Sequence, residues 1–167
     1  MSEEKDGICI LSFDNGGPGT YSQLLILKEQ MSRLASDLKV DEDDVYPADY
    51  FDLMGGVGFG GLISIMLGLL RMNISETIEA LLDITSDVFP EASLEVIDRG
   101  VNTKNLRKAI EAILQARNIS LDAKMKDDTR EQTRCKCTVC GQFRTSQPSS
   151  SLSYIFVSRL KPQSNYS

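Results

Sequence analysis

Histidine is absent from this chain of 167 residues, and its absence removes a large class of chemistry. Without an imidazole the chain itself can supply no His-based acid–base relay and no Ser-His or Cys-His nucleophile pair. It can also offer no histidine ligand to a metal ion. Any catalysis within these residues would have to rely on carboxylates, hydroxyls, thiols or backbone amides.

Negative charge outweighs positive charge in this sequence. The chain has 18 Lys and Arg against 24 Asp and Glu, a net charge of −6, and no basic stretch. Nucleic-acid phosphates demand clustered Lys and Arg, so we expect no nucleic-acid partner. The same balance argues against binding to anionic membranes through charge, but it leaves open the binding of a lipid in an apolar pocket.

One uncharged stretch, 53–70, is 18 residues long, enough to raise the question of a transmembrane helix. Asp52 and Arg71 bound it closely. It also contains six glycines: Gly55, Gly56, Gly58, Gly60, Gly61 and Gly68. Because glycine clusters interrupt helices, a buried strand, a turn and a buried helix explain this stretch better. We therefore predict no transmembrane span.

The cysteines number four, and three of them lie within six residues: Cys9, Cys135, Cys137 and Cys140. The charged start, residues 1–6, lacks the apolar region of a signal peptide, so we expect a reducing cytoplasmic setting, including the membrane periphery. Structural zinc requires four ligands, and on a strand Cys140 would face away from Cys135 and Cys137. The pattern favours buried structural cysteines, and we predict neither a metal site nor a cofactor.

The first half of the chain alternates strand and helix signals. Residues 8–13 form an apolar run typical of a buried strand, followed by a glycine-rich loop at 14–20 and a helix over 21–38. A second strand is predicted at 50–54 and a second helix at 60–71. The inward stripe of the first helix has three- and four-residue spacing: Leu24, Leu27, Met31, Leu34 and Leu38.

Further helix and strand signals follow. Asn73 and Glu76 have the spacing of a capping box, which would begin a helix ending near Phe89, and Thr103 is a candidate N-cap for another. Residues 134–143 alternate as a strand does. The residues expected to face inward on these two helices are Ile74, Ile78, Leu81 and Leu82, and Leu106, Ile110, Ile113 and Leu114.

This order predicts the α/β class, with a parallel sheet flanked by helices, and a site where the carboxyl ends of the strands meet the amino ends of the helices. We assign residues 1–144 to one domain. Residues 145–167 are predicted to be a Ser-rich connector and tail with one added strand at 153–160.

Two glycine motifs follow the two predicted strands. Residues 13–19 read Phe-Asp-Asn-Gly-Gly-Pro-Gly, and residues 49–61 read Asp-Tyr-Phe-Asp-Leu-Met-Gly-Gly-Val-Gly-Phe-Gly-Gly. The second has the frame of a nucleophile elbow, G-x-S-x-G, at 56–60, with Gly58 at the position of the attacking serine.

Together these motifs resemble the Asp-Gly-Gly-Gly-x-Arg-Gly loop and the Gly-Thr-Ser-Thr-Gly elbow of patatin-like phospholipases, and the similarity extends over about residues 8–143. The resemblance implies a three-layer fold of the lysophospholipase-like type, incomplete on its C-terminal side. It implies a serine nucleophile in the elbow and an aspartate base from a later Asp-Gly-Gly or Asp-Gly-Ala segment. The backbone amides implied to bind the oxyanion or another anion are those of Asn15, Gly16, Gly17 and Phe59.

The chain departs from that pattern at the reacting groups. Gly58 has no side chain to activate, Asn15 replaces a loop glycine, and Gly19 stands where the family has arginine. No Asp-Gly-Gly or Asp-Gly-Ala follows residue 58. The glycines of the first loop can still bind an anion beside a helix, but a tight strand-to-helix turn alone is the preferred explanation.

We therefore predict a patatin-like domain without catalysis that binds a lipid, such as a fatty acid, or a protein partner. One alternative is an active phospholipase or lipid acyl hydrolase that is completed by sequence absent here. Another is a truncated fragment without function, whose sheet edges would stay unpaired.

Overall fold

The computed structural model describes residues 7–89, 99–122, 135–142 and 152–157. Four strands form one sheet in the order β1-β2-β3-β4, with the bounds Ile10–Phe13, Leu53–Val57, Lys136–Gln142 and Leu152–Val157. β1, β2 and β3 run parallel, and β4 pairs antiparallel with β3. The predicted strand at 153–160 is thus present as β4, and residues 158–160 lie outside the described part.

The helices between these strands are α1, Tyr21–Leu38; α2, Pro47–Tyr50; α3, Phe59–Ser64; α4, Ile74–Val88; and α5, Arg99–Ala116. α3 continues directly as a π-helical turn, Ile65–Leu69, and short 3₁₀ turns occupy Gly17–Thr20 and Glu42–Asp44. The α/β class with a parallel sheet flanked by helices is confirmed.

α3 and the π-helical turn that follows it pack directly on the strands and cover one face of the sheet. Right-handed crossovers that progress in one direction across parallel strands place their helices on the same side. The burial agrees, since Phe13 and Met54 lie in one core with Leu24 of α1, whereas Ile10 and Val57 on the other face are 61% and 41% exposed. The third layer implied by the resemblance therefore stays a prediction.

The strand predictions need two corrections. The first strand was expected to be a buried strand over 8–13, but it spans Ile10–Phe13. Ile8 and Ile10 are exposed because β1 lies at the edge of the described sheet and one face of it is uncovered. The second strand spans Leu53–Val57 rather than 50–54. Pro47 at the first turn, where its missing N–H costs nothing, begins the short helix α2, which includes Tyr50.

The helix predictions were largely right. α1 has the predicted bounds, and Leu24, Leu27 and Met31 are buried, but Leu38 is exposed because the helix ends there. The second helix begins at Phe59 and leaves α geometry after Ser64. α5 begins at Arg99, so Thr103 lies within the helix and is not its N-cap.

The start of α4 shows how local sequence fixes a helix end. The Asn73 side chain accepts a hydrogen bond from the Glu76 N–H at 2.8 Å, and the Glu76 carboxylate accepts one from the Asn73 N–H at 3.0 Å. This is the predicted capping box, and it is confirmed. Leu81 of this helix is fully buried, but Leu82 is 49% exposed, so the expectation that both face inward was wrong for Leu82.

None of the helices in the described part of the chain combines the length and the hydropathy that crossing a bilayer requires.

The division of the chain into residues 1–144 and 145–167 stays a prediction.

Candidate functional site

The structure brings the two glycine motifs together. They meet at the carboxyl ends of β1 and β2, which are hydrogen-bonded neighbours with Phe13 opposite Gly56. A Cβ atom added to Gly60, in the first turn of α3, would lie 2.6 Å from the Phe13 carbonyl oxygen and 2.7 Å from that of Asp14. The start of α3 therefore packs directly on the backbone of the first glycine loop.

Gly58 is the apex of a sharp turn from β2 into α3. Its backbone has φ +57° and ψ −122°, values that side-chain-bearing residues rarely adopt. Its carbonyl oxygen accepts a hydrogen bond from the Leu62 N–H at 3.1 Å, which joins the turn to the helix. The backbone thus has the strained strand-to-helix form of a nucleophile elbow, and glycine holds it with little strain.

The side chain of Asn15 occupies the space in front of Gly58. A Cβ atom added to Gly58 would lie 2.5 Å from Asn15 Oδ1, 2.8 Å from Cγ and 3.2 Å from Nδ2. Asn15 and Gly58, which both depart from the family pattern and are 43 positions apart in the sequence, therefore lie next to each other in the structure. Sequence reasoning singled out both residues but missed their contact, because no periodicity relates a loop after β1 to a turn after β2.

Hydrogen bonds within the first loop hold its shape. Asn15 donates its N–H to Asp14 Oδ1 at 2.7 Å, so this amide already has an acceptor within the loop. Gly17 has φ +52°, and its carbonyl accepts a hydrogen bond from Thr20 Oγ1 at 2.6 Å. These contacts build a tight turn, and the anion-binding role of the Gly16, Gly17 and Phe59 amides stays a prediction.

Gln23 is a residue that the sequence reasoning missed. Its side chain accepts a hydrogen bond from the Asp14 N–H at 3.0 Å and donates one to the Asp14 carbonyl at 3.3 Å. A single amide side chain thereby fixes the end of β1 to the first turn of α1. The sequence did contain a signal for this contact, namely a glutamine in the first turn of the helix that follows the glycine loop.

Ser64 is no substitute nucleophile. It is fully buried, and its hydroxyl donates a hydrogen bond to the Gly60 carbonyl within the same helix at 2.9 Å. The Ser64 hydroxyl thus already has a partner, and the side chain contributes to packing.

Cys135, just before β3, and Cys137 and Cys140 within it divide between the two faces of the sheet as predicted. Cys135 and Cys137 are buried against the helices, whereas Cys140 lies on the other face and is partly exposed. The pKa of Cys137 is raised above its ordinary value, mainly by its hydrogen-bonding contact with the Cys135 thiol and also by burial. The Cys137 thiol therefore stays protonated at neutral pH. It lies 3.2 Å from the Ser64 carbonyl oxygen, to which it can donate.

A cavity of about 600 Å³ lies between α4 and α5, away from both glycine motifs. Its lining includes four alanines and four acidic residues, together with Arg117, which is ion-paired with Glu76 at 3.1 Å. None of its lining residues belongs to the loop or the elbow.

Comparison with known proteins finds a similarity over part of the chain. Over 65 residues the chain is 42% identical to the protein named patatin-like phospholipase 1 from Plasmodium falciparum (isolate NF54). The match covers 38% of this chain and 9% of the relative, so it concerns a small part of that protein's length. No family model matches the chain, and no solved structure matches it. The similarity supports a relationship to lipid hydrolases and nothing more specific.

Proposed function

We propose that this chain is a patatin-like domain without hydrolytic activity that acts by binding a lipid, with a carboxylate or phosphate near the first glycine loop, or a protein partner. The observation that carries the proposal is the elbow itself. Its backbone has the strained form that presents a nucleophile, but its apex is Gly58. A glycine offers no atom that could attack an ester.

The position of Asn15 supports the same proposal. An active elbow requires open space in front of its apex for the nucleophile and the substrate carbonyl. Here a carboxamide lies where the nucleophile's side chain would begin. Within these 167 residues no Asp-Gly-Gly or Asp-Gly-Ala follows the elbow, so a serine at position 58 would find no such base in this chain.

The setting we propose is the cytoplasm, including the surface of membranes. All four cysteines are free, as expected in a reducing compartment. The net charge of −6 makes attraction to anionic lipid headgroups unfavourable, so binding would depend on apolar contacts.

The proposal predicts that restoring a serine will not restore catalysis. We expect no turnover of p-nitrophenyl butyrate above a heat-denatured control by the unmodified chain, by Gly58→Ser, or by Gly58→Ser with Asn15→Gly. The double variant is the sharper test, because it supplies the hydroxyl and also removes the carboxamide from the space it needs. Turnover by any of the three proteins would overturn the proposed loss of catalysis.

Binding at the elbow is tested separately by thermal shift with oleate and with phosphatidylcholine below their aggregation concentrations. We expect at least one of them to raise the melting temperature, because a ligand that binds only the folded state stabilises it. Asn15→Trp should abolish this shift by filling the elbow. Gln30→Trp, a matched amide-to-indole change on the exposed side of α1, should retain it. An unchanged shift in Asn15→Trp would mean that the lipid binds elsewhere. If neither lipid shifts the melting temperature, the lipid-binding alternative fails and only binding of a protein partner remains.

A further inference from the structure

Three sulfur atoms converge beside Gly68, in the π-helical turn that follows α3. A Cβ atom added to this glycine would contact Cys137 Sγ, and it would lie 3.4 Å from both Cys135 Sγ and Met54 Sδ. All three sulfurs therefore lie within 3.4 Å of one point, and no two of them can be farther apart than twice that distance.

The fold positions these sulfurs independently of the glycine motifs. Cys137 lies on β3 and Cys135 directly precedes this strand, and both side chains point to the helix-covered face. Met54 is the direct neighbour of Cys137 across the parallel pair β2–β3. The side chains of all three residues are buried, with exposed fractions between 0% and 5%.

The donor set selects the kind of ion. Among the described residues no group of three or more His, Cys, Asp and Glu side chains could hold a metal, so the four-ligand sites of structural zinc are not formed here. Two thiols and one thioether are soft ligands, which favour Cu(I) over harder divalent ions. Mg²⁺ and Ca²⁺ prefer oxygen donors, and the three side chains of this cluster offer only sulfur.

We propose that Cys135, Cys137 and Met54 form a binding site for Cu(I), with two thiolate bonds and one bond from the thioether sulfur. Each thiol releases one proton to solvent when its sulfur binds the ion, and no electron is transferred. Cys137 gives up its hydrogen bond to the Ser64 carbonyl in this step.

The local backbone favours such a site. Gly68 and the start of β3 meet where the helix changes from α to π geometry, and single π-helical turns occur frequently at functional sites. Because Gly68 has no side chain, the three sulfurs can approach its backbone more closely than a Cβ atom would allow.

The test is a competition for Cu(I) between the full chain and the chromophoric chelator bicinchoninate under anaerobic, reducing conditions. The reference protein carries Cys9→Ser and Cys140→Ser, which removes the two thiols outside the cluster. We expect the reference protein to withdraw one equivalent of Cu(I) from the chelator and to develop ultraviolet thiolate-to-copper absorption. Cys137→Ser in the reference background should abolish both signals.

Met54→Leu in the reference background keeps the site's size and its thiols but removes the thioether. We expect it to lower the affinity for Cu(I) by about tenfold or more, a loss at least as large as that from removing an outer-shell partner. Far-UV circular dichroism of each variant establishes that it is folded. Failure of the reference protein to compete with the chelator would overturn the proposal. An unchanged affinity in a folded Met54→Leu variant would overturn the assignment of its sulfur.

Discussion

Gly56→Ala is expected to cost about 4 kcal/mol or more of the free energy of unfolding, or to prevent folding altogether. The added Cβ would overlap the carbonyl carbon and oxygen of Gly60 and would lie 2.7 Å from the Gly61 nitrogen. These are backbone atoms at the start of α3, so no side-chain rotation can relieve the overlap. Relief would require α3 to move away from β2, where it contributes Ile63 and Ser64 to the buried interior.

Gly19→Ala is the matched control for this change. It makes the same chemical substitution in the neighbouring glycine motif, but a Cβ there would meet nothing within 4 Å. We expect its effect on the free energy of unfolding to stay within about 0.5 kcal/mol. Urea denaturation followed by circular dichroism measures both variants. A mild effect of Gly56→Ala, comparable to that of Gly19→Ala, would contradict the close packing of the elbow on α3.

Leu81→Ala is expected to lower the free energy of unfolding by about 2–5 kcal/mol. Leu81 has 0% accessible surface and belongs to the buried core of the protein, on the side of α4 that faces this core. Truncation removes buried methyl groups and leaves a cavity that the surrounding helices cannot fill completely.

The adjacent residue provides the comparison. Leu82 is 49% exposed, so Leu82→Ala loses little buried area and gains helix propensity. We expect a change within about 0.5 kcal/mol in the same urea denaturation experiment. Equal losses for the two variants would mean that α4 is rotated about its axis relative to the structure described above.

Features that depend on neighbouring residues in sequence could be predicted well. The bounds of α1 follow from its apolar spacing, and the start of α4 follows from the reciprocal hydrogen bonds of Asn73 and Glu76. The α/β order and the meeting of both glycine motifs at the strand ends follow from the alternation of strand and helix signals.

Features that depend on strand order or on the rotation of a helix could not be predicted. An apolar strand has the same local sequence in the middle of a sheet as at its edge, so the exposure of Ile10 was not apparent. Leu81 and Leu82 are equally apolar, and only packing decides which one faces the core. The contact between Asn15 and Gly58 depends on the parallel pairing of β1 and β2, which brings two distant turns together.

That contact has an evolutionary consequence if catalysis was lost as proposed. A mutation that returns serine to position 58 would place its side chain against the Asn15 carboxamide, on a backbone where a side chain costs about 1–3 kcal/mol. A mutation that removes Asn15 would clear the space but supply no nucleophile. Neither mutation alone would produce a hydrolytic activity that natural selection could favour. The pair Gly58 and Asn15 therefore makes it difficult for evolution to restore catalysis one mutation at a time.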